Sequence, residues 1–174
     1  MMTTREPIET RNLDVYGNAA LPWSRAKDLL DGLDPSAMIT WFLGTTGPSG
    51  RPHAAGVGAM WHDGELYFTS GDVTKKSKDL ASNPFASISV SLDGIDLVFE
   101  GQTQRVTDGP MLEAVTAKYK SGGWPATVEG DAVTAPFSAP SAGPPPWKLY
   151  RLDLHRVIGV ASAEPNGATT WQFT

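Results

Sequence analysis

The sequence predicts a mostly β protein with short helices, an antiparallel barrel carrying its helices on the periphery. Three observations predict it. About eight short strand-like runs follow one another in hairpin order, two reversals are Asp-Gly pairs (Asp63-Gly64 and Asp93-Gly94), and no strand–helix–strand alternation of a parallel sheet is present.

Residues 1–20 are polar, sustain neither the helical nor the strand period, and read as an extended arm ahead of a single domain over 21–174. A short helix follows Ser24, a candidate cap, with Ala26, Leu29, Leu30 and Leu33 at three- and four-residue steps until Gly32 and Pro35 intervene. The apolar, β-branched run Ala37–Gly44 predicts a strand, and Thr45–Gly50 a tight reversal. Pro52–His62 and Glu65–Thr69 flank the first Asp-Gly turn. Thr74 caps a helix that Pro84 stops. Phe85–Leu92 and Ile95–Val106 flank the second Asp-Gly turn. Asp108, with Pro110 just inside, opens a helix to Tyr119 that carries Leu112, Val115 and Tyr119 on one face. The Gly-, Ala- and Pro-rich segment 121–146 is too long for a simple connection and reads as functional or interfacial. Strand-like runs Trp147–Leu154, Arg156–Ala161 and Thr169–Phe173 end the chain.

Composition removes several classes of chemistry. At 174 residues the chain suits about one domain. It has no cysteine, which excludes disulfides, thiolate nucleophiles, zinc–thiolate sites and iron–sulfur clusters. His53, His62 and His155 stand far apart with no ligand at metal-binding helical spacing, so no metal site is expected. The net charge of -5 speaks against nucleic acid as a partner. No apolar run reaches the ~20 residues that span a bilayer, and the N-terminus lacks the apolar core of a secretion signal, so no membrane contact and a cytoplasmic location are expected.

The junction Tyr67–Lys78 is the most informative stretch. Thr69, Ser70 and Thr74 bring hydroxyls, Lys75, Lys76 and Lys78 bring ammonium groups, and the helix start brings unpaired backbone N–H groups, the donor set a phosphate requires. A solvated helix face is the plainer reading. Lysines in a first turn oppose the helix dipole, however, and a bound anion would relieve that. Gly56-Val57-Gly58 lacks the third glycine and the helix of a dinucleotide fingerprint; its glycines either relieve crowding in a strand or let a flat ring approach the backbone. Trp124 and Trp147 flank the long segment, where a ring could wall a flat ligand, although tryptophans are more often core. No G-x-S-x-G elbow or other catalytic constellation is present, so no catalytic residue is named.

The order of these pieces resembles the pyridoxamine 5′-phosphate oxidase-like split β-barrel family of FMN- and deazaflavin-binding proteins, over most of 36–174. The carriers are Tyr67-Phe68-Thr69, Thr74-Lys75-Lys76, Leu80, Asn83-Pro84, Phe99-Glu100-Gly101-Gln102, Val106-Thr107-Asp108, Tyr119 to Pro125 and the closing 168–173. The resemblance implies a cofactor phosphate held by Thr69 or Ser70 with Thr74, Lys75 and Lys76. It implies a ring system along His53, Ala54, Ala55 and Val57, with Trp124 and Trp171 as further contacts. It implies FMN or coenzyme F420, a homodimer sharing the cofactor cleft, and hydride transfer to or from a small organic substrate. A non-catalytic flavin- or deazaflavin-binding or storage protein is the alternative. The chain ends Thr170-Trp171-Gln172-Phe173, without the arginine-containing signature that grips pyridoxal phosphate, so true pyridoxamine phosphate oxidase activity is not expected. Lys118, Lys120, Lys148 and Arg151 are candidates for the basic groove a deazaflavin tail would need.

Overall fold

A computed structural model describes residues 5–174. Most of the chain forms one antiparallel sheet, in the order β1 (Glu9–Asn12), β11 (Ala168–Gln172), β10 (Lys148–Ala161), β7 (Ile95–Val106), β6 (Phe85–Leu92), β2 (Trp41–Thr46), β3 (Pro52–Val57). A branch adds β5 (Glu65–Ser70) and β4 (Met60–His62). The split occurs at β10. One half of β10, Lys148–Leu152, pairs with β5, and the other half, Arg156–Val160, pairs with β11, while β7 runs along the opposite edge of both. The register shift between Leu154 and Arg156 marks the bulge that bends the strand there. The sequence reads this stretch as two runs, Trp147–Leu154 and Arg156–Ala161; it is one strand with a kink.

The Asp63-Gly64 turn has φ of 49° and 80°, the left-handed pair a two-residue hairpin needs. Pro52–His62 is two strands rather than one, interrupted at Gly58-Ala59, so that β3 stays on the β2 edge while β4 crosses to β5. The strand expected at 37–44 is displaced to 41–46, because Asp34 caps a turn at 34–37 through the Ser36 N–H and hydroxyl.

Helix α1 spans Trp23–Asp31, its cap is Pro22, and Ser24 makes no capping bond. Helix α2 spans Lys75–Ser82, where Thr74 accepts from the Ser77 N–H. Helix α3 spans Gly109–Ser121, where Asp108 accepts from the Met111 N–H. The segment 121–146 is not structureless. It contains the hairpin β8 (Thr127–Glu129) and β9 (Ala132–Thr134) and a short 3-10 turn at Pro140–Ala142. Residues 9–12 of the N-terminal arm add a strand to β11.

Two apolar cores form because β5 is buried on both faces. Leu66 and Phe68 pack with α1, Trp41, Phe99 and Trp171, whereas Tyr67 packs with α3, Val133 and Leu149. No helix among the described residues is long and apolar enough to cross a membrane.

Candidate functional site

Helix α2 starts where β5 ends, and the hydroxyls there bond to one another. Ser70 Oγ lies 3.0 Å from Thr74 Oγ1 and 2.6 Å from Ser77 Oγ, and Thr74 Oγ1 also donates to the Gly71 carbonyl at 2.8 Å. Strand alternation turns Thr69 to the opposite face, with Tyr67, so Ser70 rather than Thr69 joins this cluster.

The two lysines of the first turn differ. Lys75 Nζ donates to both oxygens of Asp79 at 2.9 Å, one turn on, and Asp79 Oδ2 also accepts from Thr45 at 2.9 Å. The Lys75 hydrogen bond, helped by Thr45, holds the Asp79 carboxyl below its ordinary range. Lys76 is only 8% exposed, and among the described residues no carboxylate lies within ion-pair reach of it. Burial pushes its ammonium below the ordinary lysine range. An unpaired buried cation is costly to a fold, and a bound anion would offset that cost.

Beside this corner lies the edge strand. Among the described residues β3 pairs only with β2, which leaves its second row of backbone N–H and C=O groups without a strand partner there. Thr45 faces His53 across the pair, so the Pro52–His53 end of β3 meets the Thr45–Asp79 corner. Ala54 and Gly56 lie on the exposed face, and His53, Ala55 and Val57 are half-buried on the other. The near wall of the corner comes from the long segment. A Cβ at Gly71 would meet the Ala142 carbonyl at 2.5 Å, and one at Gly143 the Val73 side chain at 3.0 Å.

A cavity of about 150 Å³ opens at the far end of β3, lined by Ile39, Trp41, Gly58, Trp61, Lys118, Tyr119 and Trp124 among others. The Trp124 indole N–H donates to the Phe137 carbonyl at 2.6 Å, and its ring meets Tyr119 edge-on at 5.3 Å. Tyr119 Oη donates to the Gly58 carbonyl at 2.6 Å. Trp147 is buried beneath this wall, its indole donating to the Gly143 carbonyl at 3.1 Å.

Trp171 requires a correction. Its ring is wholly buried against Trp23, its N–H donates to the Leu21 carbonyl, and it lies so close over Gly159 that a Cβ there would meet it at 2.6 Å. With no free face or donor, it is a core residue of this chain. Asp79, Thr45 and Ser77 were missed in the sequence, although the Lys75–Asp79 spacing of four residues signals the pair. Trp41 and Trp61 were missed as walls, since only the fold brings them to Trp124. No group of His, Asp and Glu that could hold a metal occurs among the described residues.

Residues 36–161 match the model of the pyridoxamine 5′-phosphate oxidase family, and the chain belongs to that family. Its fold is shared with a pyridoxamine 5′-phosphate oxidase-related, FMN-binding protein from Nostoc punctiforme PCC 73102, at 19% identity over 86% of this chain and 90% of that one, TM-score 0.55. A heme-binding protein from Mycobacterium smegmatis is similar at 17% identity over 86% of this chain and 58% of the other, TM-score 0.59. An F420 reductase is similar at 19% identity over 75% of this chain and 94% of the other, TM-score 0.50. At these identities the likeness is one of fold. No curated protein sequence matches the chain.

Proposed function

We propose that this chain is a cytoplasmic oxidoreductase that holds a flavin-type cofactor along β3 with its phosphate at the start of α2, and that it uses the cofactor to move hydride to or from a small organic substrate. The observation that carries the reading is Lys76, buried and unpaired at a helix N-terminus beside an open strand edge. Helix N–H groups and an unpaired ammonium are the chemistry of a phosphate site. The bound ring would supply the redox chemistry. The chain's own part is to fix the phosphate, to offer backbone donors of β3 to the ring edge, and to keep water from one ring face.

FMN is the favoured cofactor over F420. A poly-glutamyl tail needs an extended basic groove, and two of the four cations that could line one are held in ion pairs. Lys148 pairs with Asp72 at 2.7 Å and Arg151 with Asp153 at 2.7 Å.

We also propose a homodimer. The outward face of β2, β6 and β10 exposes Phe42, Phe85 and Val160, set among small residues such as Gly44, Ser87 and Ser89 that would let a second copy pack flat on it. The deciding experiment is an absorption titration of the purified chain with FMN and with F420, followed by turnover with quinone or enone acceptors, with mass measured in solution. A flavin bound without turnover would leave a storage protein. Protein that takes up neither cofactor would reject the reading.

A further inference from the structure

We propose that the tryptophan-walled cavity at the end of β3 is the substrate subsite, and that it receives a flat, single-ring organic compound carrying one acceptor oxygen, which Lys118 binds. The proposal rests on the reading of β3 as the cofactor's bed.

Position comes first. β3 runs from the Thr45–Asp79 corner to Gly58, where the cavity begins. At about 3.3 Å per residue, the steps from His53 to Gly58 span about 16 Å. A molecule anchored by its phosphate at α2 and extended along β3 therefore ends at the cavity mouth.

Shape comes second. Trp41, Trp61, Trp124 and Tyr119 wall the space with flat apolar faces, and about 150 Å³ is the volume of an apolar protein cavity that accepts one benzene ring. Fused multi-ring compounds exceed it.

Polarity comes third. Tyr119 Oη is spent on the Gly58 carbonyl, the Trp124 indole on the Phe137 carbonyl, and the Trp61 indole on Asp31 at 2.8 Å. Among the described residues Lys118 donates only to the Trp61 carbonyl, and an ammonium has three protons to give. It is the charged donor left to a ligand, and burial already disfavours its charge when no ligand is present. Asp34 lines the rim, Asp31 stands behind Trp61, and Asp63 also acts on the Lys118 charge. One lysine against three carboxylates suits a carbonyl or at most a single carboxylate and rejects a phosphate dianion.

The test is calorimetric titration of the full chain with benzoate, toluene and phenyl phosphate, alone and after loading with FMN. Benzoate is expected to bind more tightly than phenyl phosphate and, in the loaded protein, to perturb the flavin absorption band. Lys118→Met is expected to weaken benzoate by about tenfold, one charge-assisted hydrogen bond, and to leave toluene unchanged. Ala37→Leu, a change on an exposed loop that fills the mouth, is expected to weaken both ligands. Benzoate that does not bind, that binds equally well to both variants, or that binds less well than phenyl phosphate overturns the proposal while FMN uptake still stands. Benzoate binding as described in a chain that takes up no FMN overturns the cofactor reading instead, and with it the role of the cavity as a substrate subsite.

Discussion

Two charged regions of the molecule are built on opposite plans. On the β5–β10 branch, Glu65 receives Arg5 at 3.1 Å and the Tyr67 hydroxyl at 3.1 Å, with Arg151 at 3.5 Å and already held by Asp153. Burial and the neighbouring Glu65 charge push the Tyr67 phenol up, so it stays a neutral donor. At the start of α2, by contrast, Lys76 is buried and faces no counter-charge among the described residues. A cluster whose donors and acceptors all find protein partners stabilises the architecture. A buried cation without one destabilises the free protein, and the phosphate proposed for this corner would offset that cost.

The sharpest way to break this contrast is Lys76→Ala. Loss of a charge-assisted hydrogen bond to phosphate is expected to cost about 1.5–3 kcal/mol of FMN affinity, read as a rightward shift in absorption titration. An unchanged titration would remove the distinction between the regions. Glu65→Ala comes next and acts on the other region. It strands Arg5 and leaves the Tyr67 hydroxyl unpaired, but these side chains are a fifth to a third exposed, so solvent screening limits the loss to about 1–2 kcal/mol of stability. The thermal midpoint should fall by about 2–8 °C with FMN affinity unaffected; a weakened FMN titration would show that the network belongs to the site.

A third substitution tests whether Lys76 is a cost to the empty protein. Its folded-state value lies below the ordinary 10.5, so between the two values the unfolded chain binds more protons and stability rises with pH. Lys76→Met removes that burden. The cofactor-free variant is expected to melt about 2–4 °C higher at neutral pH and to lose the alkaline rise seen in the wild type. A lower midpoint would mean that the ammonium has a protein partner after all.

The legible part of the molecule follows from local chemistry. Asp63-Gly64 can close a hairpin because both of its residues accept positive φ, and Thr74 announces a helix start because its hydroxyl reaches the Ser77 N–H. Lys75 and Lys76, adjacent in sequence, look equivalent there. The four-residue spacing to Asp79 gives Lys75 a partner within α2, but only the packing of β2 against α2 brings Thr45 to that carboxylate, and only the fold shows Lys76 buried alone. The same limit explains Trp171. Its place near the family's closing motif suggests a ligand contact, yet the ring lies over Gly159, which stands just past the kink in β10 and is silent in local pattern. The long 121–146 segment hid a hairpin because β8 and β9 are three residues each, too short for periodicity to show.

The smallest effect on cofactor binding, and the one that most finely separates the two lysines, is expected from Lys75→Met. Lys75 is more than half exposed and spends its charge on Asp79, so its removal should change FMN affinity by about threefold at most, against tenfold or more for its neighbour. Its main consequence is felt by Asp79. That carboxyl titrates below its ordinary 3.8 chiefly because Lys75 donates to it, and a group with a depressed folded value contributes stability that is present above the unfolded value and lost as pH falls through the folded one. Without Lys75 the Thr45 hydroxyl is the direct partner that remains, the folded value climbs toward 3.8, and acid unfolding should begin at a higher pH than in the wild type. Midpoints measured from pH 7 down to pH 3 decide it: an acid limb that does not move would show that Thr45 alone holds Asp79, and an FMN affinity that falls as far as in Lys76→Ala would show that both lysines face the phosphate.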